Sequence, residues 1–277
     1  MSLDPLVEHN IVRHDKIAQV QGSGSYDSRH VEVFNSHEQR RIQKELLRAW
    51  NLRKTKNKKA LDFGAGTGNL SQKLLAFGAE VTAADVSSGI LKLLQEKMPI
   101  EFQSKQLTIQ LLTGETRLPF ADNQFGFAAA FSVLHHLPDY MSAVLELGRV
   151  VDRGGIIFLD HEALEENYNL HKPLGLKIHR RLHISDFGIR ETLQRMRSPQ
   201  KISSNQPRPL LDEGDIHLYD DDHIEWTQIR NKLSDAGFVE IKFESYLNCT
   251  ETSSFPWRYW LCRLFTANTG LYVGIKT

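Results

Sequence analysis

A glycine-rich turn between a short apolar run and a helical pattern is the feature that most constrains the fold of this chain. The segment 59–70 reads KALDFGAGTGNL, with glycines at positions 64, 66 and 68. Leucines at 70, 74 and 75 then recur at helical spacing. A strand, a glycine turn and a helix in this order can cradle a nucleotide-like ligand, because glycine leaves room for it and the first helical amides are unpaired. An ordinary strand-to-helix turn would explain the same residues. The other motifs of the chain are therefore needed to distinguish a ligand-binding turn from a simple connection.

The spacing of the glycines indicates the kind of ligand. Dinucleotide enzymes favour G-x-G-x-x-G, whereas here the third glycine comes one residue early. Asp62 directly precedes the turn, where its charge would face a pyrophosphate. The pattern therefore favours a ligand with a positive end and no phosphate, and it disfavours a nicotinamide oxidoreductase.

Composition excludes several classes of protein. Lys and Arg together number 34, as do Asp and Glu, so no net charge points to nucleic acid or to a membrane surface. The two cysteines, Cys249 and Cys262, have neither metal nor redox spacing. No apolar run approaches the roughly 20 residues that span a bilayer, and the first ten residues lack the pattern of a signal peptide. We expect a soluble cytoplasmic protein without membrane insertion.

Short apolar runs alternate with helical patterns, which is typical of an α/β protein with a parallel sheet between two layers of helices. Strands are predicted at 60–63, 80–85, 107–112, 125–133, 156–159, 238–247 and 270–275, and helices at 36–51, 90–98, 140–151 and 221–236. Ser36 and Gln39 have capping-box spacing, and Ser87 is a candidate cap for the helix at 90–98. This alternation of strands and helices is absent from the sequence pattern over 162–220.

The presence or absence of this strand–helix alternation predicts the domain boundaries. We predict a mobile lead-in over 1–35, a ligand-binding domain made of 36–161 and 221–277, and an inserted cap over 162–220. The aromatic stretch 255–265, FPWRYWLCRLF, is predicted to be a packed helix or core loop, with a substrate wall or a membrane-interface contact as alternatives.

Polar residues follow four successive predicted strands. They are Asp62, Asp85, Glu115 and the pair His135 and His136. The carboxyl ends of parallel strands meet at one edge of a sheet, where open α/β sheets bind ligands. Asp85 comes where a nucleotide fold places the carboxylate that accepts the ribose hydroxyls. The sequence therefore predicts a nucleoside site at this edge.

Two later segments strengthen this interpretation. Residues 114–139 read GETRLPFADNQFGFAAAFSVLHHLPD, and residues 152–160 read DRGGIIFLD. Together with the glycine turn they resemble the motifs of class I S-adenosylmethionine-dependent methyltransferases, in particular the small-molecule branch that includes quinone-biosynthesis enzymes. The resemblance spans 36–160, resumes at 221 and omits the insertion. It implies a Rossmann-like, doubly wound and mostly parallel seven-stranded sheet with an antiparallel C-terminal strand and an inserted helical cap.

The resemblance also implies contacts with S-adenosylmethionine. The glycine turn passes beneath the methionine portion, with Asp62 near its ammonium, because a carboxylate suits a cationic amine. The backbone at Phe131 and Ser132 lies near the same amino group. The residues implied to surround the methionine portion are Asp62, Gly64, Ala65, Gly66, Phe131 and Ser132.

A second group is implied to hold the nucleoside. Asp85 accepts from the ribose hydroxyls, and Val86 lies against the adenine. Glu115 accepts from the adenine amino group, and the Thr116 amide donates to the ring. The family more often has Asp at the position of Glu115, so this chain departs from the family pattern at this contact.

Methyl transfer is an in-line displacement that needs a base only if the acceptor must lose a proton. His135, His136 and His161 are predicted near the methyl group, where a histidine could deprotonate a hydroxyl at neutral pH. The alternative is that these histidines only pack or form hydrogen bonds at the strand ends. Tyr26 and His30 could close over the cofactor from the lead-in.

We therefore predict an S-adenosylmethionine-dependent methyltransferase that acts on a small molecule and releases S-adenosylhomocysteine. One alternative is methylation of RNA or protein through the basic segment 171–208, although nucleic acid is not the expected partner. Another is a non-catalytic protein that binds the cofactor. No metal site is predicted, because the histidines lack ligand spacing with cysteines or carboxylates. The sequence makes no prediction of the oligomeric state.

Overall fold

The computed structural model describes residues 4–27, 31–165, 215–219, 222–249 and 257–277. His30, most of the predicted cap and the basic segment 171–208 lie outside these ranges, as does the side chain of Tyr26. The predictions made for them stay predictions.

Seven strands form one sheet in the order β3-β2-β1-β4-β5-β9-β8. The five strands from β1 to β5 run parallel, and β9 is antiparallel to both β5 and β8. The strands are β1 Lys59–Phe63, β2 Glu80–Asp85, β3 Leu107–Leu111, β4 Phe125–Phe131, β5 Val151–Ala163, β8 Phe238–Tyr246 and β9 Thr269–Lys276, with β6 Leu218–Tyr219 and β7 Asp222–His223 paired in a separate ribbon. The predicted fold class is confirmed. The strand order reverses between β1 and β4, and this is where open α/β sheets form a ligand crevice.

Helices cover both faces of the sheet, as predicted. They are α1 Pro5–Asp27, α2 Val31–Phe34, α3 Ser36–Asn51, α4 Asn69–Ala76, α5 Ser88–Lys97, α6 Pro99–Gln103, α7 Tyr140–Val150, α8 Trp226–Asp235 and α9 Trp257–Cys262, with a short 3-10 turn at Leu134–His136. One apolar layer contains α7 and α8, and the other contains α3, α4 and α5. The alanine-rich strand β4 is buried along nearly its whole length, which lets both layers approach closely. In the described parts of the chain, no helix is both long and apolar enough to cross a bilayer.

Three details of the sequence analysis are wrong. The expected mobile lead-in contains α1, a helix of 23 residues. The helix expected over 221–236 begins only at Trp226, because Asp222–His223 belongs to the β-ribbon. The cap of α3 is Asn35, whose side chain accepts from the amides of His37 and Glu38. The predicted cap Ser87 is confirmed, since its hydroxyl accepts from the Ile90 amide at 3.1 Å.

The aromatic stretch 255–265 is less buried than predicted. Its helix α9 buries Cys262, but Trp257 and Trp260 are 48% and 42% exposed and Leu264 is 79% exposed. A packed core helix is therefore the wrong description for most of its apolar side chains.

A buried ion pair fastens α3 to the tip of β5. Arg41 donates to Asp160 through both terminal nitrogens, each 3.1 Å from Oδ2. Asp160 is fully buried, and it also accepts from the Tyr246 hydroxyl at 2.8 Å and from the His161 amide at 2.8 Å. The Arg41 guanidinium lies 3.9 Å above the centre of the Tyr246 ring. The charge at this strand end is thus balanced within the protein.

Removing Arg41 should destabilise the fold strongly. In Arg41→Met the Asp160 carboxylate loses its cation while it stays buried, and such a loss costs about 3–5 kcal/mol. The matched control is Arg48→Met on the same helix, because Arg48 is 58% exposed and its ion pair with Glu45 should contribute at most about 1 kcal/mol. Urea denaturation measures both variants. Equal losses of unfolding free energy would contradict the assigned role of Asp160.

Candidate cofactor and acceptor site

The glycine turn after β1 lies directly over the end of β2. Gly64 and Gly66 have φ of +66° and +53°, in the left-handed region that favours glycine. The amides of Gly64 and Ala65 donate to the carbonyl of Ala84 at 2.8 and 3.1 Å. The Gly66 amide donates to Oδ2 of Asp85 at 3.0 Å. The first two predicted strand ends are therefore joined.

Asp85 is a buried carboxylate with capacity for further hydrogen bonds. Its Oδ1 accepts from the Ser87 amide at 3.0 Å, and its Oδ2 accepts from Gly66. Because a carboxylate has about four acceptor positions, two remain after these bonds. Two remaining acceptor positions fit the pair of hydroxyls on a ribose.

The turn after β4 packs against the same glycines. A Cβ atom added at Gly64 would lie 2.3 Å from Cγ2 of Val133. Only a glycine fits this contact, because real Cβ atoms do not approach so closely. The tips of β1, β2 and β4 thus contact one another at the edge of the sheet where the strand order reverses.

Asp62 is more deeply enclosed than the sequence suggests. It is 2% exposed, and Oδ2 accepts from the Ser71 hydroxyl of α4 at 2.6 Å. Burial raises the pKa of Asp62 from 3.8 to about 6, and the nearby Asp85 charge adds to this, while the bonds from Ser71 lower the pKa. The structure assigns Asp62 a protein partner, so its contact with a ligand ammonium stays a prediction.

The ends of β4 and β5 meet in a strained junction. Ser132 and His161 have φ of +54° and +69°, which is uncommon for residues with a side chain. The Ser132 amide donates to the Asp160 carbonyl at 3.0 Å, and the His161 ring stacks on Phe131 with centroids 4.8 Å apart. Such strain persists where the surroundings enforce it and is common at functional sites.

The predicted adenine contacts lie around the end of β3. The Leu112 amide donates to the Asp85 carbonyl at 2.9 Å, so the loop after β3 starts beside Asp85. Glu115 and Thr116 are exposed on this loop, and Val86 is partly buried against the core. Their roles toward a ligand stay predictions.

Two of the three candidate histidines meet at the turn after β4. The rings of His135 and His136 have centroids 4.1 Å apart. His135 Nδ1 lies 2.7 Å from Oε2 of the buried Glu162, whose Oε1 accepts from the amides of Val133 and Leu134 at 2.8 and 2.7 Å. His161 is instead directed to Phe131 and to the Tyr246 hydroxyl, which is 3.4 Å from its Nδ1. Sequence reasoning missed Glu162, because nothing in the chain links it to residues 133–135.

Helix α1 contacts two of the strand-end regions, which the sequence did not indicate. Asp15 Oδ1 accepts from the Ser87 hydroxyl at 2.6 Å and from the Gly89 amide at 2.9 Å, at the start of α5. One turn and a half earlier, the Asn10 side chain donates to the His136 carbonyl at 3.0 Å. The helix therefore bridges the ends of β2 and β4.

Buried polar atoms on α1 fit a polar ligand nearby. Oδ1 of Asn10 and Nε of Arg13 are buried without a hydrogen-bond partner among the described residues. Buried polar atoms in folded proteins are nearly always paired, so unpaired ones call for an explanation. The remaining acceptor positions of Asp85, the glycine turn and these atoms are together compatible with a bound nucleoside.

Comparison with known proteins agrees with this geometry. Residues 61–159 match a family model described as "Methyltransferase domain". A demethylmenaquinone methyltransferase of Staphylococcus aureus (strain MRSA252) is 32% identical over 127 residues, which cover 44% of this chain and 50% of the relative. Its counterpart in Staphylococcus saprophyticus is 30% identical over 149 residues, 52% of this chain and 59% of the relative. The chain thus matches between half and three fifths of the length of these curated relatives.

Solved structures support the fold over a longer span. One is a magnesium protoporphyrin IX methyltransferase from Synechocystis PCC 6803 with bound S-adenosylmethionine. The match covers 100% of this chain and 99% of that protein, with a TM-score of 0.53 and 15% identity. A provisionally assigned sarcosine dimethylglycine methyltransferase from Galdieria sulphuraria covers 87% of this chain, with 86% of it matched, a TM-score of 0.55 and 16% identity. At these identities the likeness shows a shared fold.

The domain match and the strand order agree with the motifs at the ends of β1, β2 and β4. Over residues 61–159 the chain is thus similar to a methyltransferase domain, and as a whole it shares the fold of a solved methyltransferase with bound S-adenosylmethionine.

Proposed function

We propose that this protein transfers the methyl group of S-adenosylmethionine to a small-molecule acceptor. The observation that supports the proposal is that the Asp85 carboxylate, the glycine turn and the Val133 turn contact one another at one edge of the sheet. The relatives are named as methyltransferases of demethylmenaquinone, and one fold neighbour as a methyltransferase of magnesium protoporphyrin IX. These acceptors are small molecules, which supports the same class here.

The cofactor supplies a methyl group on a positively charged sulfur, which is already activated for displacement. An acceptor atom forms a bond to the methyl carbon while the carbon–sulfur bond breaks, and the electron pair stays on sulfur. The protein's task is then to hold the two reactants in line, which can contribute about 7–11 kcal/mol. Asp85 would fix the nucleoside end, the glycine turn would support the methionine portion, and the turn after β4 would face the acceptor.

The orientation of His135 would allow its Nε2 to act on the methyl acceptor. Glu162 holds its Nδ1 at 2.7 Å, so Nδ1 carries the proton when the ring is neutral and Nε2 keeps a lone pair. That lone pair can accept a proton from an acceptor hydroxyl or coordinate a cation. His136 is adjacent, whereas His161 is separated from this pair by its stacking on Phe131.

Asp85→Asn should weaken binding of S-adenosylhomocysteine at least about tenfold, equivalent to about 1.4 kcal/mol. The amide offers fewer acceptor positions than the carboxylate, and hydrogen bonds to a charged acceptor are stronger. Calorimetric titration measures the affinity, and circular dichroism checks the fold. The matched control is Asp235→Asn at the exposed end of α8, which should bind like the wild type. Undiminished binding to Asp85→Asn would refute the site.

The affinity for S-adenosylhomocysteine should rise about tenfold between pH 5 and pH 7.5. With a pKa of about 6, Asp62 is mostly protonated at the lower pH and mostly ionised at the higher, and only the ionised form attracts an ammonium. In Asp62→Asn the affinity should be flat over this range. A pH-independent affinity of the wild type would assign Asp62 a purely structural role.

The pH dependence of the unfolding free energy gives an independent measure of the raised pKa of Asp62. The folded-state pKa of Asp62 lies above its unfolded value of 3.8, so the folded state holds the proton more tightly. The wild type should therefore lose stability relative to Asp62→Asn as pH rises from about 4 to about 6, and the difference should stay constant above that. Urea denaturation at several pH values measures it, with the protein free of ligand.

The acceptor class has its own test. Transfer of labelled methyl from S-adenosylmethionine is measured with hydroxylated quinones, phenols, amines, a protein mixture and total RNA. Saturable transfer to one small-molecule class supports the proposal. Transfer to RNA or protein alone would favour the alternative that uses segment 171–208, and tight cofactor binding without transfer to any acceptor would favour a non-catalytic role.

A further inference from the structure

Two histidines and a carboxylate come together beside the crevice. Oδ1 of Asp215 lies 3.5 Å from Nε2 of His135 and 3.3 Å from Nδ1 of His136. All three ligand atoms lie within 4.8 Å of one another. Each side chain is about one-fifth exposed, so the cluster is enclosed but reachable from solvent.

The two separations from the Asp215 oxygen match the edges of a metal coordination sphere. Zinc binds histidine nitrogen and carboxylate oxygen at about 2.0–2.1 Å, and in a tetrahedral site this places neighbouring ligand atoms about 3.3–3.4 Å apart. Charge-assisted hydrogen bonds between nitrogen and a carboxylate are shorter, about 2.7–2.9 Å. One oxygen of Asp215 stands at the longer separation from both rings. An ion placed between the three atoms would fit this spacing.

The surroundings of His135 have the form expected around a metal ligand. A histidine that binds a metal usually gives its other ring N–H to a carboxylate, which fixes the tautomer and the ring orientation. Glu162 occupies this position, 2.7 Å from Nδ1, and it is itself held by two backbone amides. The lone pair of Nε2 is thereby directed to the side where Asp215 lies.

The backbone that carries Asp215 is also fixed to this turn. The Ile216 amide donates to the carbonyl of His135 at 2.9 Å. The ring of His217 spans the Asp222 carboxylate and the Leu137 carbonyl, which is 2.8 Å from its Nε2. The carboxylate is therefore brought to the histidines by bonds that need no ion, and the ligands are positioned in advance.

We infer that His135, His136 and Asp215 bind a divalent transition-metal ion of the zinc class, with Glu162 as the positioning residue for His135. Three protein ligands leave a coordination position open, as in catalytic zinc sites. This inference deepens the proposed function, on which it rests for the identity of the neighbouring crevice. An acceptor hydroxyl bound at the open position would lose its proton to solvent more readily, and the resulting oxygen anion would attack the methyl carbon as the carbon–sulfur bond breaks.

The inference departs from the sequence expectation of no metal site. That expectation rested on ligand spacing along the chain, and Asp215 is far from the histidines in sequence. The ligands meet only because the segment before β6 lies against the turn after β4.

Zinc titration of the untagged full chain, stripped with EDTA, tests the inference. We expect about one equivalent of Zn²⁺ with a dissociation constant in the micromolar range or tighter, together with a rise in Tm, since the ion binds the folded state. His136→Ala and Asp215→Asn should each weaken binding at least tenfold. Glu162→Gln should weaken it about 10–100-fold, as changes to residues behind a ligand do.

Two controls make the result specific. His37→Ala and Asp235→Asn remove the same chemical groups elsewhere and should bind zinc like the wild type. Failure of the wild type to take up zinc would overturn the inference, and so would uptake that persists undiminished in both His136→Ala and Asp215→Asn. Circular dichroism of each stripped variant excludes unfolding as the cause of a loss.

A parallel titration with S-adenosylhomocysteine separates this inference from the proposed function. If the stripped wild type binds S-adenosylhomocysteine but not zinc, only the metal site is wrong. If the wild type binds zinc and Asp215→Asn does not, the metal site is supported whether or not S-adenosylhomocysteine binds. Failure of the wild type to bind S-adenosylhomocysteine would then refute only the proposed function.

Discussion

The paired hydrogen bonds of the Asp85 carboxylate are the interaction on which the rest of the site depends. One oxygen holds the glycine turn through Gly66, and the other holds the start of α5 through Ser87. Both bonds are charge-assisted, and the bond from Ser87 is fully buried, where such bonds are strong and geometrically demanding. The Ser87 hydroxyl carries the connection on to Asp15 of α1. One side chain thus fixes the relative positions of three elements around the crevice.

A bulge in β5 allows two neighbouring acids to serve different parts of the site. In a regular strand, Asp160 and Glu162 would point to the same face. The pairing of β5 with β9 shifts register between them, and His161 at the shift has a positive φ. Asp160 consequently faces Arg41, while Glu162 faces the turn after β4. Bulges are common next to active sites because they redirect side chains in this way.

Much of the fold follows from local patterns, whereas the acceptor side of the site does not. Alternating apolar runs and the glycine turn predict the parallel sheet and place Asp62 and Asp85 at its carboxyl edge. Helix α1 was missed because its sequence has little apolar periodicity, and its Asp15 contacts residues more than 70 positions away. Glu162 was missed because its partner is also distant in sequence, and only the bulge in β5 brings it to His135. Interactions of this kind are set by tertiary packing, and no pattern within a single element reveals them.

The distribution of charge in the site suits displacement at a sulfonium. The positive charge on sulfur disperses as the methyl group leaves, so an anion beside the sulfur would stabilise the starting state more than the transition state. In the proposed placement of the cofactor, Asp85 would lie at the ribose end, where two backbone amides bind it, and Asp62 is enclosed by α4. At the turn after β4, the Glu162 carboxylate is held by two backbone amides and the His135 ring, and Asp215 lies against the two imidazoles. Carboxylates that would bind the ends of the cofactor, with paired carboxylates and imidazoles on the acceptor side, would leave the barrier for transfer to be set by alignment.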